Sequence, residues 1–286
     1  MQLLHKIPAI TTLQASLPIS DRQIDRYEYK YVVAPEQVPE IRRFIRPFVY
    51  EDEHSIGDIP EYLVTTLQLD ASNATLHFAK ERKARTRFKL RIRTYGTGNE
   101  CPYFLEIKRK INVMILKSRV VLQSKDYSKE NILHPTSIIP FANESENMNY
   151  LEFVRLVREI GARPFVYVNY VRESYKGISE RYARVTIDRR LRYRPARGSW
   201  TFPCQSARWY SMDTQTSLCR EYPGQILELK AETEFPEWMA EMVERFDLVS
   251  TGFCKYSKAM RLESLFQGST YSEVSENCSY ENGSDF

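Results

Sequence analysis

An α+β fold, with antiparallel strands closing into a β-barrel around a charged interior and helices flanking it, is what the residue pattern of this chain predicts. Three observations point there. Between Lys83 and Arg93 every odd position is basic, while Ala84, Thr86, Phe88, Leu90 and Ile92 fill the even ones; an extended strand sends such alternating side chains to opposite faces. The same charged alternation returns in Glu28-Tyr29-Lys30, Glu106-Ile107-Lys108, Lys117-Ser118-Arg119, Arg184 to Asp188 and Glu228-Leu229-Lys230. Segments with apolar residues at helical spacing lie between these strands. An open sheet with a solvated basic face fits one such strand; many strands with one charged and one apolar face also fit a closed barrel with a polar interior.

Taken in order, residues 1–20 lack a clear period and read as a flexible N-terminal segment. A single domain is expected over 21–266. Its first strand holds RYEYKYVV, and Ile41, Phe44, Ile45 and Phe48 then mark a helix within Glu36 to Phe48. The basic alternation up to Arg93 is the next clear strand, followed by those around Glu106 and Lys117. A second helix is expected from Tyr150 to Ile160, stopped by Gly161. Residues Pro195 to Pro223 read as a loop-like excursion or lid between two strands. A third helix follows Pro236 with Trp238, Met239, Met242, Val243 and Phe246, and a fourth spans Lys255 to Phe266. Lys255 and Lys258, three apart, share one face of it. Residues 267–286, rich in Ser, Glu and Asn, read as a disordered polar tail.

A net charge of only +4 means that the cations are concentrated locally rather than spread as in a generally basic nucleic-acid binder. No apolar run approaches the ~18 residues of a membrane span, and the first twenty residues lack a basic start with an apolar stretch; a cytoplasmic protein is expected. The five cysteines form no CxxC pair and the four histidines stand alone, which argues against zinc and against a catalytic triad.

The inward-facing set of such strands would be Lys30, Lys89, Arg91, Arg93, Lys108, Lys117, Arg119, Arg184 and Lys230 against Glu28, Glu106, Asp188 and Glu228. Cations outnumber carboxylates, and desolvated charge must be paired or bind a counter-ion. A polyphosphate would serve. The carboxylates either form salt bridges or hold a divalent cation such as Mg or Mn, which takes oxygen ligands and bridges carboxylate to phosphate.

The segments RYEYKYVV, KLRIRTYG, LEIKRK, KSRVVL, NYVRESY, RVTID, ILELK and FCKYSKAM, in this order, resemble the VTC domain. That domain is the polyphosphate polymerase module of the vacuolar transporter chaperone family, within the triphosphate tunnel metalloenzymes, whose antiparallel barrel forms a charged tunnel. The resemblance runs from about Asp21 to Phe266. It implies transfer of the γ-phosphate of ATP to a growing inorganic polyphosphate chain, with Mn or Mg. It also implies phosphate-binding roles for Lys30, Arg91, Arg93, Lys108, Lys117, Arg172, Arg184, Lys255 and Lys258, with Glu228 as metal ligand. Arg91, Arg93, Lys108, Arg172, Arg184 and Glu228 form the expected catalytic set. Lys30, Lys89, Lys117, Arg119, Lys230, Lys255 and Lys258 are expected to bind phosphate or nucleotide, and Glu28 joins Glu228 at the metal. Arg26 stands where the adenylate cyclase and thiamine triphosphatase branch has the first Glu of a Glu-x-Glu-x-Lys strand, which favours the VTC branch. Gln68-Leu69-Asp70 replaces an aromatic Tyr-Phe-Asp. A triphosphatase of the same fold and a non-catalytic polyanion-binding module are the alternatives. Nucleic acid is not expected as a partner, because aromatics alternate away from the basic face. Within the opening row, Lys89, Arg91 and Arg93 are expected to point inward, with Lys83, Arg85 and Arg87 at a turn or mouth.

Overall fold

The computed structural model describes residues 27–51, 61–96, 101–112, 114–135, 139–180, 182–204, 206–232 and 235–266. The expected terminal segments 1–20 and 267–286 lie outside them. In chain order the elements are β1 (Tyr27–Val33), α1 (Val38–Ile45), β2 (Val49–Glu51), β3 (Glu61–Asp70), α2 (Thr75–Glu81), β4 (Thr86–Tyr95), β5 (Tyr103–Ile111), β6 (Met114–Leu122), α3 (Lys129–Leu133) and α4 (Glu144–Glu159). They continue with β7 (Arg163–Gly177), β8 (Arg184–Pro195), β9 (Tyr210–Ser211), α5 (Gln215–Leu218), β10 (Gln225–Ala231), α6 (Glu237–Arg245) and α7 (Lys255–Phe266). This is an α+β fold dominated by an antiparallel sheet. Among the described residues no helix is long and apolar enough to cross a membrane.

The hydrogen-bonded order is β1-β10-β8-β7-β3-β4-β5-β6, with β2 on β7 and β9 on β8. This path is open, with β1 and β6 at its ends, so the closed barrel expected from the sequence is corrected to an unclosed sheet. The expectation rested on like charges that had to be enclosed. The register removes much of that need by setting carboxylates opposite cations: Lys30 faces Glu228, Arg172 faces Asp188, and Glu106 lies between Arg91 and Arg119.

The chain forms two compact units. The first holds 66–165 and 196–204. On one face of β4, β5 and β6, Leu90, Ile92, Leu105, Ile107, Val120 and Leu122 are buried, and α4 contributes the buried Phe153, Leu156 and Val157. Burying one such side chain contributes about 1.5–3 kcal/mol. Asn143 caps α4 by accepting the Glu146 N–H at 2.9 Å, which starts the helix several residues ahead of the expected Tyr150. Gly161, with φ +59°, stops it as the sequence suggests. Arg109 reaches from β5 to Glu152 of α4 at 2.5 Å.

Of the described residues, the second unit holds those within 27–51, 61–65, 166–195 and 206–266. Tyr31, Val33, Val185, Ile187, Leu227 and Leu229 form the apolar face of β1, β8 and β10, covered by Ile41 and Ile45 of α1 and by Trp238, Met239 and Met242 of α6. Phe48 stacks on Trp238 with ring centroids 5.3 Å apart. The buried carboxylate of Glu173 also lies on this side, held by the Arg42 fork at 2.5 and 2.9 Å.

The expected excursion from Pro195 to Pro223 is more ordered than a loop. Tyr127 donates to the Trp200 carbonyl at 2.6 Å, and Phe202 packs on Tyr103, itself stacked on Tyr127 at 3.9 Å. Farther on, the segment forms β9 and α5. Both are too short to show a period in sequence.

Candidate phosphate-binding site

In the first unit four cations surround one carboxylate. Glu106, on β5, is 1% exposed, and its neighbours across the ladders are Arg91 on β4 and Arg119 on β6. Arg91 Nε lies 2.5 Å from its carboxylate, Lys117 Nζ 3.2 Å, Arg119 Nε 3.5 Å and an Arg93 terminal nitrogen 3.8 Å. Burial alone pushes the Glu106 carboxyl up, but Arg91, Arg93, Lys117 and Arg119 together hold it well below the usual carboxylate range. Lys117 bears the cost of this crowding. Burial, and Arg91, Arg119 and Arg93 acting against the pull of Glu106, bring its ammonium down to about 8. One row along, Lys89, Lys108 and Lys117 stand directly opposite one another on β4, β5 and β6. Like charges opposed in this way destabilise a sheet.

Tyr95 closes one side of the cluster. Its phenol oxygen accepts from Arg119 at 3.0 Å and Arg93 at 3.4 Å. Burial raises this phenol, and the two guanidiniums outweigh it to leave it lowered. Arg119 also lies over the Phe104 ring, 4.0 Å from its centroid.

The second unit carries another charged face, built by the pleat of β1, β10, β8 and β7. Lys30 pairs with Glu28 and lies 3.4 Å from Glu228, while Lys230 takes the other Glu228 oxygen at 2.5 Å. Asp188, fully buried, receives the Arg172 fork at 2.6 and 2.8 Å and Lys255 at 2.5 Å. Tyr170 lies beneath both cations, 5.2 Å from the Arg172 guanidinium and 4.6 Å from the Lys255 ammonium. Burial pushes the Glu228 carboxyl up, yet Lys230, Lys30, Arg172 and Lys255 hold it well below its usual value. Arg172 is depressed by burial but raised overall by Asp188.

The sequence-expected residues therefore fall into two groups. Arg91, Arg93, Lys117 and Arg119 meet at Glu106, with Lys89 and Lys108 in the adjoining row. Lys30, Glu28, Glu228 and Lys230 interlock, and Arg172 and Lys255 meet at Asp188. Arg184 is exposed at the start of β8, opposite Lys230 and Lys176. Lys258 is turned to a different environment from Lys255: its titratable neighbours are Cys219 and Arg261, and burial lowers its pKa.

Tyr95 and Tyr170 were not among the expected site residues. Tyr95 shares the parity of Arg91 and Arg93, so the same period of two points to it. Tyr170 precedes Arg172 by two residues, but a bulge between Asn169 and Val171 breaks the alternation there.

Glu228 and Glu28 suit a divalent cation. Both already converge on one cationic centre, the Lys30 ammonium. The Thr186 hydroxyl, directly across the ladder from Glu228, is buried without a hydrogen-bond partner. Hard oxygen donors of this kind fit Mg or Mn, which take one or two carboxylates and complete their shell with water and phosphate. Among the described residues no group of three or more His, Cys, Asp or Glu gathers as an all-protein metal cage.

The family model described as the VTC domain matches residues 25–263. No match is found among curated proteins. Similar solved structures include the PH1819 protein from Pyrococcus horikoshii OT3, at 13% identity over 83% of this chain and 99% of that one, with a TM-score of 0.41. Another is a Hippeastrum adenylyl cyclase candidate described as having a dominant triphosphatase activity, at 15% identity over 80% and 92%, TM-score 0.42. A Vibrio parahaemolyticus adenylate cyclase candidate matches at 10% identity over 83% and 98%, TM-score 0.39.

Proposed function

The chain belongs to the VTC domain family, and from that membership we propose that it is a metal-dependent polyphosphate polymerase, moving the γ-phosphoryl group of ATP onto the end of an inorganic polyphosphate chain. The observation that supports this best is the charge excess around Glu106, where four cations share one buried carboxylate. Partly desolvated positive charge in such excess calls for an anionic ligand, and guanidinium forks match phosphate oxygens.

In this reading a terminal oxygen of the chain attacks the γ-phosphorus, a new P–O bond forms, and the bond to the β,γ-bridging oxygen breaks. ADP leaves with that bond's electron pair. Such a transfer depends on positioning and charge rather than on a side-chain nucleophile. Arg91, Arg93, Lys108, Lys117 and Arg119 hold phosphate oxygens in the first unit, with Lys89 beside them. Lys30, Arg172, Arg184, Lys230, Lys255 and Lys258 do so in the second. Glu228 and Glu28 would hold Mn or Mg, which would supply Lewis-acid charge.

Incubation with ATP and Mn, followed by gel sizing of the phosphate products, tests the proposal. Acid-stable chains are the expected product. Orthophosphate alone would make water the acceptor and the protein a triphosphatase, and no turnover would leave only a polyanion-binding module.

A further inference from the structure

In the second unit, the face of β8 turned away from Asp188 changes character part-way along the strand. On β7, Tyr167, Asn169, Val171, Glu173 and Tyr175 alternate and share a face, and their cross-strand partners are Arg194, Arg192, Arg189, Ile187 and Val185. Directly opposed residues of an antiparallel pair lie on one side of the sheet. As far as Ile187 this is the apolar face that α1 and α6 cover. The bulge follows, with Arg190 at φ +53° as its extra residue, and the face continues as Arg189, Arg192 and Arg194. Asp188 and Arg172 have the other parity, so this stretch is separate from the charged face that holds Glu228.

Beyond the bulge, cations and an aromatic ring occur together. The Arg192 guanidinium lies over the Trp209 ring, 5.2 Å from its centroid, and its Nε donates to the Asn169 side-chain carbonyl at 2.6 Å. The Asn169 amide in turn donates to the Thr65 hydroxyl at 2.8 Å, so the guanidinium plane is fixed against the indole. Arg208 lies over the Tyr210 ring at 5.5 Å. Arg192, Arg194 and Trp209 are half-buried, whereas Arg190 and Arg208 are exposed. Burial and the neighbouring Arg190 lower the Arg192 guanidinium, with no carboxylate drawing it back up. Arg190, Arg194 and Arg208 form no ion pair among the described residues. From Arg190 to Met212 every charged residue in the sequence is an arginine.

A ligand suited to this surface carries both phosphates and planar rings. Guanidinium forks match phosphate oxygens and also stack, while an indole or an arginine plane takes the flat face of any base. Inorganic polyphosphate has no ring and would make no use of Trp209. The criterion that argues against nucleic acid on the basic strands, aromatics turned away from the cations, is reversed here. We infer that the arginine-rich face of β8 beyond its bulge binds single-stranded nucleic acid, stacking a base at Trp209 and Arg192 and holding backbone phosphates on Arg194 and Arg208. A duplex hides the flat faces of its bases, so the single strand is the form that fits. This surface is independent of the phosphoryl transfer proposed above.

The test is fluorescence anisotropy of labelled oligouridylate and oligothymidylate, each of about 12 nucleotides, titrated with the whole chain at low salt while excess tripolyphosphate occupies the phosphate site. Binding should persist under that excess; the comparison of the two oligonucleotides tells RNA from single-stranded DNA, and either one bound supports the inference. Trp209→Ala should weaken it about tenfold, in keeping with the loss of one stacked base, and Trp209→Phe, which keeps a ring, by less than about threefold. Arg194→Gln/Arg208→Gln should lower the salt slope by about 1.4, two phosphate contacts at ~0.7 each, and it carries the test if Trp209→Ala fails to fold. Tripolyphosphate affinity should be the same in all these proteins. Displacement of the oligonucleotides by tripolyphosphate, equal binding by native and variant proteins, a duplex bound more tightly than either strand, or polyglutamate bound as tightly and lost in parallel would each overturn the inference.

Discussion

Tyr95 is placed to set the geometry of Arg93 and Arg119, two of the guanidiniums that the proposed function puts on phosphate. Its phenol oxygen is a common acceptor for Arg93 and Arg119, so Tyr95→Phe keeps the ring and removes one anchor from each guanidinium while their ion pairs with Glu106 stay. Tripolyphosphate affinity should fall about fivefold, the worth of ~1 kcal/mol of hydrogen bonding, with the melting temperature little changed; an unaltered affinity would remove Tyr95 from the site. Lys117 gives a pH signature. With its pKa at about 8 rather than the ordinary 10.5, the ammonium loses its proton as pH rises through about 8, and polyanion binding should weaken over that interval. Stability moves the other way: between the folded value of about 8 and the unfolded value of 10.5, the unfolded chain holds more protons, so the Lys117 contribution to stability rises with pH. Titrations from pH 7 to 9.5 should show both trends, and Lys117→Arg, always charged, should flatten the difference. At this scale the sequence was most legible where alternation is unbroken: Arg91, Arg93, Glu106, Lys117 and Arg119 can all be read by parity. Tyr170, behind a bulge, could not.

Among the elements, the helices with an apolar stripe were readable and the short ones were not. The last helix begins at Lys255 as expected, whereas α2 has no long period and is held by a single carboxylate. Asp70, fully buried, accepts the N–H groups of Ala71, Leu76 and His77 at 2.8 Å each, which satisfies donors that the helix start leaves unpaired. In sequence Asp70 looked only like the end of a motif lacking its aromatics. Asp70→Ala should cost about 1–2 kcal/mol, measurable as a lower urea midpoint, and Asp70→Asn should recover part of it. An unchanged midpoint would show that packing of Leu76 and Phe78 alone holds the helix. The strands with charged alternation were legible, but β3 (Glu61–Asp70), which lacks it, was not, and neither was closure, because alternation dictates which face is charged and says nothing about which strands end the sheet.

For the whole molecule, the proposed function implies that the fold tolerates opposed cations because a polyanion binds them. A ligand that binds only the folded state stabilises it by mass action, by about 2.7 kcal/mol at a hundred times its dissociation constant. The melting temperature should therefore climb with polyphosphate concentration, and the increment should shrink as salt is raised. A melting temperature indifferent to polyphosphate at low salt would mean that the cationic rows are only a solvated face. The central claim, transfer of a phosphoryl group from ATP to a chain, is tested most directly by following ATP labelled at the γ-phosphorus in the presence of Mn. The label should enter long, acid-stable chains in step with ADP release, and Glu228→Gln should reduce incorporation by about a hundredfold, in keeping with loss of an electrostatic catalytic group. Label found only in orthophosphate, or incorporation equal in the Glu228→Gln protein, would contradict it.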